Sequence, residues 1–159
     1  MKSIEFFKLI ISILICNSAG FIGAVFTSSA IPTWYDSLKK PPFSPPNWIF
    51  GPVWTILYTL MGISAYFVWR QGINDSQVKT ALIIFGVQLF LNALWSPIFF
   101  GFRALFAGLI VIIIMWIAIL LTILAFLKIS TVAAVLLIPY ILWVSFATIL
   151  NFSLWILNS

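Results

Sequence analysis

The sequence predicts an all-α membrane protein, a single domain (1–159) built as a bundle of five transmembrane helices. The chain is 64% apolar and 7% charged, whereas soluble domains are about 45–50% apolar and about 25% charged. A helix needs about 20 mainly apolar residues to cross a bilayer, and five windows meet that length: 7–27, 48–69, 80–100, 104–126 and 131–157. No alternating strand pattern is present, so helices are expected to satisfy the backbone within lipid.

The first window, 7–27, has a second interpretation. Lys2 and Lys8 precede an apolar run, which is also the pattern of a secretory signal. The apolar run continues through Val25 and Phe26, which favours a full-length span over a signal peptide.

A stiff connection precedes the second window. Residues 28–47 are expected to form a lid-like loop, and four prolines fall within 40–47. Proline fixes φ, removes a donor and favours extended geometry in the preceding residue. Such a segment can hold Trp34, Tyr35 and Phe43 over the mouth of the bundle, and a rigid connector without a lid role is the alternative.

The second span is expected to begin at Asn47, whose side chain would cap it, with Pro52 in the first turn. Trp54 and Tyr58 then recur at helical spacing, followed on the same face by Met61 and Ala65.

Two other spans carry similar polar and aromatic faces. The fourth span is aliphatic and is expected to face lipid or to have a structural role. The third span presents Gln88, Asn92, Trp95, Ser96 and Phe99 on one face. The fifth presents Tyr140, Trp143, Ala147 and Asn151. Helix packing explains any one such face, and three together favour a cavity for a flat, conjugated, hydrophobic ligand.

Several classes of chemistry are disfavoured by what the spans lack. The chain has no histidine, and Glu5, Asp36 and Asp75 all lie outside the spans or at their edges. Proton-coupled transport, acid–base hydrolysis and a metal site therefore have no candidate residues, and Cys16 is the only cysteine. The net charge of +5 is spread without a basic cluster, which argues against nucleic-acid binding.

The chain resembles the translocator protein family, also called tryptophan-rich sensory proteins or peripheral-type benzodiazepine receptors. The resemblance runs from about residue 18 to 155. It rests on Trp34-Tyr35, Lys40-Pro41, Pro45-Pro46 and Trp48, on GPVWTILYTLMG (51–62), on Gln88, Asn92 and WSPIFFGFRA (95–104), and on PYILWVSFATILNFSLW (139–155).

This resemblance implies a homodimer of five-helix bundles with a pocket under the first loop. It also implies ligands of the protoporphyrin or haem type, isoquinoline or benzodiazepine drugs, and surrounding membrane lipid. No cofactor is required. Carried over by position, the pocket residues are Tyr35, Pro42, Trp54, Tyr58, Asn92, Trp95, Ser96, Trp143 and Ala147, to which the helical faces add Phe99 and Tyr140. Trp54 and Trp143 are the candidates for light-dependent porphyrin breakdown.

The resemblance predicts a membrane sensor or regulator of porphyrin level, with photo-oxidative turnover as an additional activity. A transporter of porphyrin or lipid, and a scaffold that responds to ligand, remain as alternatives. The animal sterol motif, with its Tyr and its cation, would fall on Leu150, Phe152 and Ile156, so sterol recognition by that route is not expected. A prokaryotic plasma membrane is the expected location.

Overall fold

The computed structural model describes all residues 1–159, and it confirms the prediction of a helical membrane protein with five spans. Six α-helices build these spans. Their bounds are α1 Lys2–Ala30, α2 Phe50–Trp69, α3 Ser76–Ser96, α4 Leu105–Leu127, α5 Thr131–Leu136 and α6 Ile138–Leu157. Helices α5 and α6 together form the fifth span, Thr131–Leu157.

The first span is longer than its apolar window, and the predicted loop 28–47 is correspondingly shorter. Helix α1 continues to Ala30, and a wider π turn extends it to Tyr35. Hydroxyl side chains in this region bond back to the helix: Thr27 Oγ1 donates to Gly23 O at 2.8 Å, and Thr33 Oγ1 donates to Ser29 O at 2.8 Å. Self-satisfied hydroxyls are compatible with a helix, so only residues 38–46, here called the lid, form an irregular connection.

The entrance to α2 differs from the predicted cap. Asn47 lies in a short 3₁₀ turn, Asn47–Ile49, and no side-chain cap bond forms there. The backbone supplies the bond instead, because Ile49 N donates to Pro46 O at 3.1 Å. Pro52 lies in the first turn of α2 as predicted, where its missing donor costs little.

The five spans form a closed ring. Helix α1 packs against α2 and α3, α3 packs against α4, and α4 packs against α6. Helix α5 contacts both α2 and α4 and closes the ring at the end opposite the lid, while α2 and α6 make few direct contacts. The bundle is therefore tight at the end opposite the lid, whereas α2 and α6 lie apart toward the lid end.

The end opposite the lid is packed around small residues and a continuous apolar core. A Cβ on Gly62 would lie 2.5 Å from Ile13 Cα, so α1 and α2 touch there backbone to backbone. Ser64 Oγ donates to Ala133 O at 2.6 Å, which ties α2 to α5. Phe85 and Phe126 stack with ring centroids 5.8 Å apart. Small residues and interhelical hydrogen bonds are the usual means of helix association in membranes.

Candidate ligand-binding cavity

The open end of the bundle contains a cavity of about 470 Å³, within the range of about 300–1,000 Å³ usual for small-molecule pockets. Walls come from α1, α2, α3, α4 and α6, and the roof comes from the π turn that ends at Tyr35. On the α1 and α2 side, the lining residues Phe21, Ala24, Gly51 and Thr55 are also exposed on the outer surface. The cavity is therefore open sideways, between α1 and α2, toward the surroundings of the bundle.

Aromatic rings form much of the lining and fix one another. Trp54 stacks on Tyr58 with centroids 5.7 Å apart, and Trp95 stacks on Phe99 at 4.9 Å. Trp143 meets Phe50 edge to face at 6.2 Å. Offset and edge-on pairs of this kind add about 0.5–1.5 kcal/mol each beyond the area they bury. The indoles at Trp54 and Trp143 are thus held in place before any ligand enters.

The floor of the cavity is a hydrogen-bonded chain that joins three helices. Tyr58 OH donates to Asn92 Oδ1, and Asn92 Nδ2 donates to Tyr140 OH at 2.7 Å. Tyr140 OH then donates to Gln88 Oε1 at 2.8 Å. Burying a polar group costs free energy unless the group is hydrogen-bonded. The polar atoms of Asn92 and Tyr58 are therefore used mainly in hydrogen bonds between helices.

A second polar contact closes the wall near α4. Trp95 Nε1 donates to Asn151 Oδ1 at 3.3 Å, and Asn151 Nδ2 donates to Leu105 O at 2.9 Å. These bonds join α3, α6 and the first residue of α4. The bond to Asn151 also fixes the ring of Trp95, which lines the cavity.

Most of the residues predicted as a site line this one cavity. Those that do so are Tyr35, Trp54, Tyr58, Asn92, Trp95, Ser96, Phe99, Trp143 and Ala147. Their role in binding stays a prediction, but the structure places them around one space.

Two predicted residues lie elsewhere. Tyr140 is 1% exposed and sits behind the wall, where its ring meets Trp54 edge to face at 6.5 Å and its hydroxyl belongs to the floor chain. Pro42 points outward from the lid and is exposed, whereas Pro41 is buried. Ser44 N donates to Pro41 O at 3.1 Å, so Pro42 occupies the second position of a turn, where proline is favoured, and the turn leaves it exposed.

The α1 wall and one contribution from α4 were not predicted from the sequence. Helix α1 lines the cavity with mainly small or polar residues: Asn17, Gly20, Phe21, Gly23, Ala24, Thr27 and Ser28. A helical spacing was visible in Asn17, Gly20, Ala24 and Thr27, but small residues at helical spacing are also typical of plain packing. Met115, on the aliphatic α4, reaches the cavity as well.

The roof is held from the lid and from α6. The Tyr35 ring packs edge to face on Phe50 at 6.1 Å, and Lys40 Nζ lies 5.1 Å from the Tyr35 ring centroid. Phe43 in the lid meets Phe146 of α6 at 6.3 Å. Tyr35 therefore belongs to the end of the first span, and contacts from the lid and from the start of α2 hold its ring in place.

The cavity has free donors but no charge. Tyr35 OH and Trp143 Nε1 are buried and have no hydrogen-bond partner, and all lining residues are apolar or neutral polar. Lys39, Lys40 and Arg103 lie at the same end of the bundle, outside the lining. This arrangement suits a hydrophobic ligand with acceptor groups and places any ligand charge at the rim.

The fold and this cavity define a helical integral membrane protein with an internal aromatic cavity. Comparison with known proteins then gives the family: a model of the TspO/MBR family matches residues 12–156. The tryptophan-rich protein TspO of Archaeoglobus fulgidus is 47% identical over 96% of this chain and 97% of its own length. The tryptophan-rich sensory protein of Cereibacter sphaeroides is 40% identical over 90% of this chain and 86% of its own length. The translocator protein of Bos taurus is 37% identical over 89% of this chain and 85% of its own length. The chain belongs to the TspO/MBR family.

Proposed function

We propose that this protein binds a tetrapyrrole of the protoporphyrin or haem type within the membrane and acts as a sensor or regulator of porphyrin level. The observation that carries this proposal is the uncharged aromatic cavity between α2, α3 and α6. A flat conjugated macrocycle gains most from several fixed rings. Its carboxylates are best placed at the lid end, near Lys39, Lys40 and Arg103, where interfacial charges steer and orient a ligand.

The free donors of the cavity support the same ligand chemistry. A buried donor without a partner costs about 1–3 kcal/mol, so a ligand acceptor that reaches Tyr35 OH or Trp143 Nε1 recovers part of that cost. The name of one relative, the tryptophan-rich sensory protein, also favours a sensing role. Isoquinoline and benzodiazepine ligands, which also carry apolar aromatic rings and acceptor groups, fit the proposal on the same grounds.

A titration with protoporphyrin tests the site. Binding is followed through the absorbance of the porphyrin, so that loss of an indole does not alter the signal directly. The double variant Trp54→Phe, Trp143→Phe is expected to bind at least about tenfold more weakly, since about 1.4 kcal/mol corresponds to tenfold. The matched control is Trp69→Phe, Trp116→Phe, whose indoles do not line the cavity. Equal affinity in both double variants would reject the assigned site.

Light-dependent turnover of the bound porphyrin is the second activity that we propose, since both candidate indoles line the cavity. A photoexcited porphyrin can take one electron from a neighbouring indole, which leaves a porphyrin radical anion and an indole radical cation. Dissolved dioxygen is the oxidant that net breakdown consumes, and no acid, base or metal from the protein is required. Illumination should bleach porphyrin faster with the wild type than with the tryptophan double variant. Equal bleaching rates at equal occupancy would limit the protein to binding.

A carrier of porphyrin or lipid is the competing function, and the sideways opening between α1 and α2 favours it. Exposed lining residues on both helices give a lipophilic ligand a route that avoids the lid. Porphyrin flux across liposomes that contain the protein separates the two functions. Flux above that of empty liposomes, without bleaching in light, would favour the carrier.

The assembly and location are also proposals. We propose a homodimer in the plasma membrane of a prokaryote, which is consistent with archaeal and bacterial relatives of similar length. Crosslinking in native membranes tests the dimer. Membrane fractionation tests the location.

A further inference from the structure

The side chain of Asn158, at the end of α6, binds the backbone of the lid in two places. Its Oδ1 accepts from Lys39 N at 2.9 Å, and its Nδ2 donates to Lys39 O at 3.0 Å. The second hydrogen of Nδ2 goes to Leu154 O at 2.8 Å, within its own helix. The amide is therefore fully used, and the bond to Leu154 holds it in the orientation that Lys39 requires.

The position of Lys39 in the lid gives these two bonds a mechanical role. Residues 41, 42, 45 and 46 are prolines, and Ser44 N donates to Pro41 O at 3.1 Å to close a turn between the pairs. Proline-rich backbone has few soft dihedrals, so this part of the lid moves as a stiff body. Motion is then concentrated in the residues before Pro41, and Lys39 lies among them.

Helix α6 connects this contact to the cavity. Trp143, Ala147, Asn151 and Leu154 of α6 line the cavity, and Leu154 accepts a bond from the Asn158 amide. The lid meets α6 a second time through Phe43 and Phe146. A ligand that shifts α6 therefore acts on the same contact that holds the lid closed.

We propose that Asn158 is a positioning residue that latches the lid to α6 and sets how long a ligand stays in the cavity. The consequence for ligand residence rests on the proposed function. The latch itself does not, because it can be measured in the empty protein. Loss of both bonds should increase the population of the open lid by about tenfold. Two hydrogen bonds of modest net strength together approach the free energy that corresponds to a tenfold change in an equilibrium.

Limited proteolysis with trypsin reads the latch without any ligand. Within the lid, trypsin can cut only after Lys39, because Lys40 is followed by Pro41. Trypsin can cleave only when the backbone around Lys39 detaches from the rest of the protein. When the lid closes again faster than trypsin cuts, the rate of cleavage follows the population of the open form. Cutting after Arg70, an exposed residue at the opposite end, provides the internal reference.

Three variants define the outcome in the purified full-length protein in lipid nanodiscs. Asn158→Leu should raise the rate of cutting after Lys39, relative to Arg70, by about tenfold. Asn158→Asp keeps an acceptor for Lys39 N but loses the donor to Lys39 O, so an intermediate rate is expected. Asn74→Leu, an exposed asparagine at the other end of the bundle, is the matched control and should leave the ratio unchanged.

The dissociation rate of protoporphyrin completes the test. Asn158→Leu should release bound porphyrin faster, with association changed less. If cutting after Lys39 is equal in wild type and Asn158→Leu, the latch is rejected, whatever the protein binds. If cutting accelerates while the dissociation rate stays constant, control of ligand residence is rejected. If cutting accelerates and no porphyrin binds to either protein, the latch stands and the proposed ligand fails.

Discussion

Aromatic residues occur at both ends of the bundle, but they pack into a closed core at one end and line a cavity at the other. At the end opposite the lid, Gly62 lets α1 and α2 meet backbone to backbone, and Phe85 stacks on Phe126 in a closed core. At the lid end, Trp54, Trp95 and Trp143 face a cavity of about 470 Å³. Aromatic content alone does not separate a core from a site. The separation comes from where α5 closes the ring between α2 and α4 and where α2 and α6 diverge.

Glycines show a second contrast, between packed and open positions, and it occurs at both ends of the bundle. Gly62 and Gly20 lie where a neighbour occupies the place of a Cβ, whereas a Cβ on Gly51 or Gly86 would meet nothing within 4 Å. The same Gly→Ala substitution at these positions therefore separates the effect of close packing from the effect of open space.

The largest effect is expected for Gly62→Ala, which breaks the tight end. Its new Cβ would lie 2.5 Å from Ile13 Cα and 2.8 Å from Ile13 N. Because backbone cannot rotate away, the free energy of unfolding should fall by about 3 kcal/mol, the upper part of the usual overpacking range. Thermal unfolding in detergent measures it. Gly86→Ala is the control and should be neutral or slightly stabilising; equal losses in both variants would contradict the described packing.

Tyr140→Phe should destabilise the boundary between the two ends by about 2 kcal/mol, since Asn92 Nδ2 and Gln88 Oε1 both lose a buried partner. Porphyrin affinity should fall less than in Trp54→Phe, because Tyr140 does not line the cavity. The control is Tyr66→Phe, which removes only a 3.3 Å bond to the partly exposed Glu5. A Tyr140→Phe protein that is as stable as Tyr66→Phe would contradict the floor chain.

Gly20→Ala should disturb the lid end with a smaller loss of stability, about 1 kcal/mol. The Cβ would lie 2.5 Å from Tyr58 Cδ2 and Cε2, and a side-chain ring can tilt where a backbone cannot. Tilting Tyr58 moves it away from Asn92 and from Trp54, so porphyrin affinity should drop. Titration of Gly51→Ala, which adds its Cβ to open space in the same lining, should give the wild-type affinity.

Pro42→Ala is expected to have the smallest effect. Because Pro42 is exposed and outside the cavity lining, porphyrin affinity should be unchanged, and stability should fall by at most about 1 kcal/mol through the greater freedom of the unfolded chain. A strong loss of affinity, measured in the same titration, would place Pro42 in the site after all.

The sequence predicted the spans well, because about 20 apolar residues in a membrane must be helical. It was less accurate at the ends of helices. Residues 28–35 were predicted to belong to the loop, yet they continue the first span, where Thr33 bonds back to Ser29. Asn47 suggested a cap, yet the backbone of Pro46 supplies the bond.

The site was predictable where large aromatic residues share a helical face, as with Trp54 and Tyr58. The depth of each residue along the bundle could not be predicted from the sequence. Tyr140 shares a face with Trp143, but it lies about one turn deeper, where its hydroxyl completes the floor. The α1 wall was not predicted because Gly20 and Ala24 have small side chains without polar or aromatic groups. Such residues leave room for a cavity, and this room becomes visible only when the five spans are packed together.

A ligand-bound structure in lipid tests the central claim most directly. We expect protoporphyrin between Trp54 and Trp143, beneath Tyr35, with its carboxylates at the lid end near Lys40. Porphyrin found instead on the outer surface of the bundle, or in the smaller groove between Cys16, Trp69 and Phe85, with the aromatic cavity empty, would contradict it.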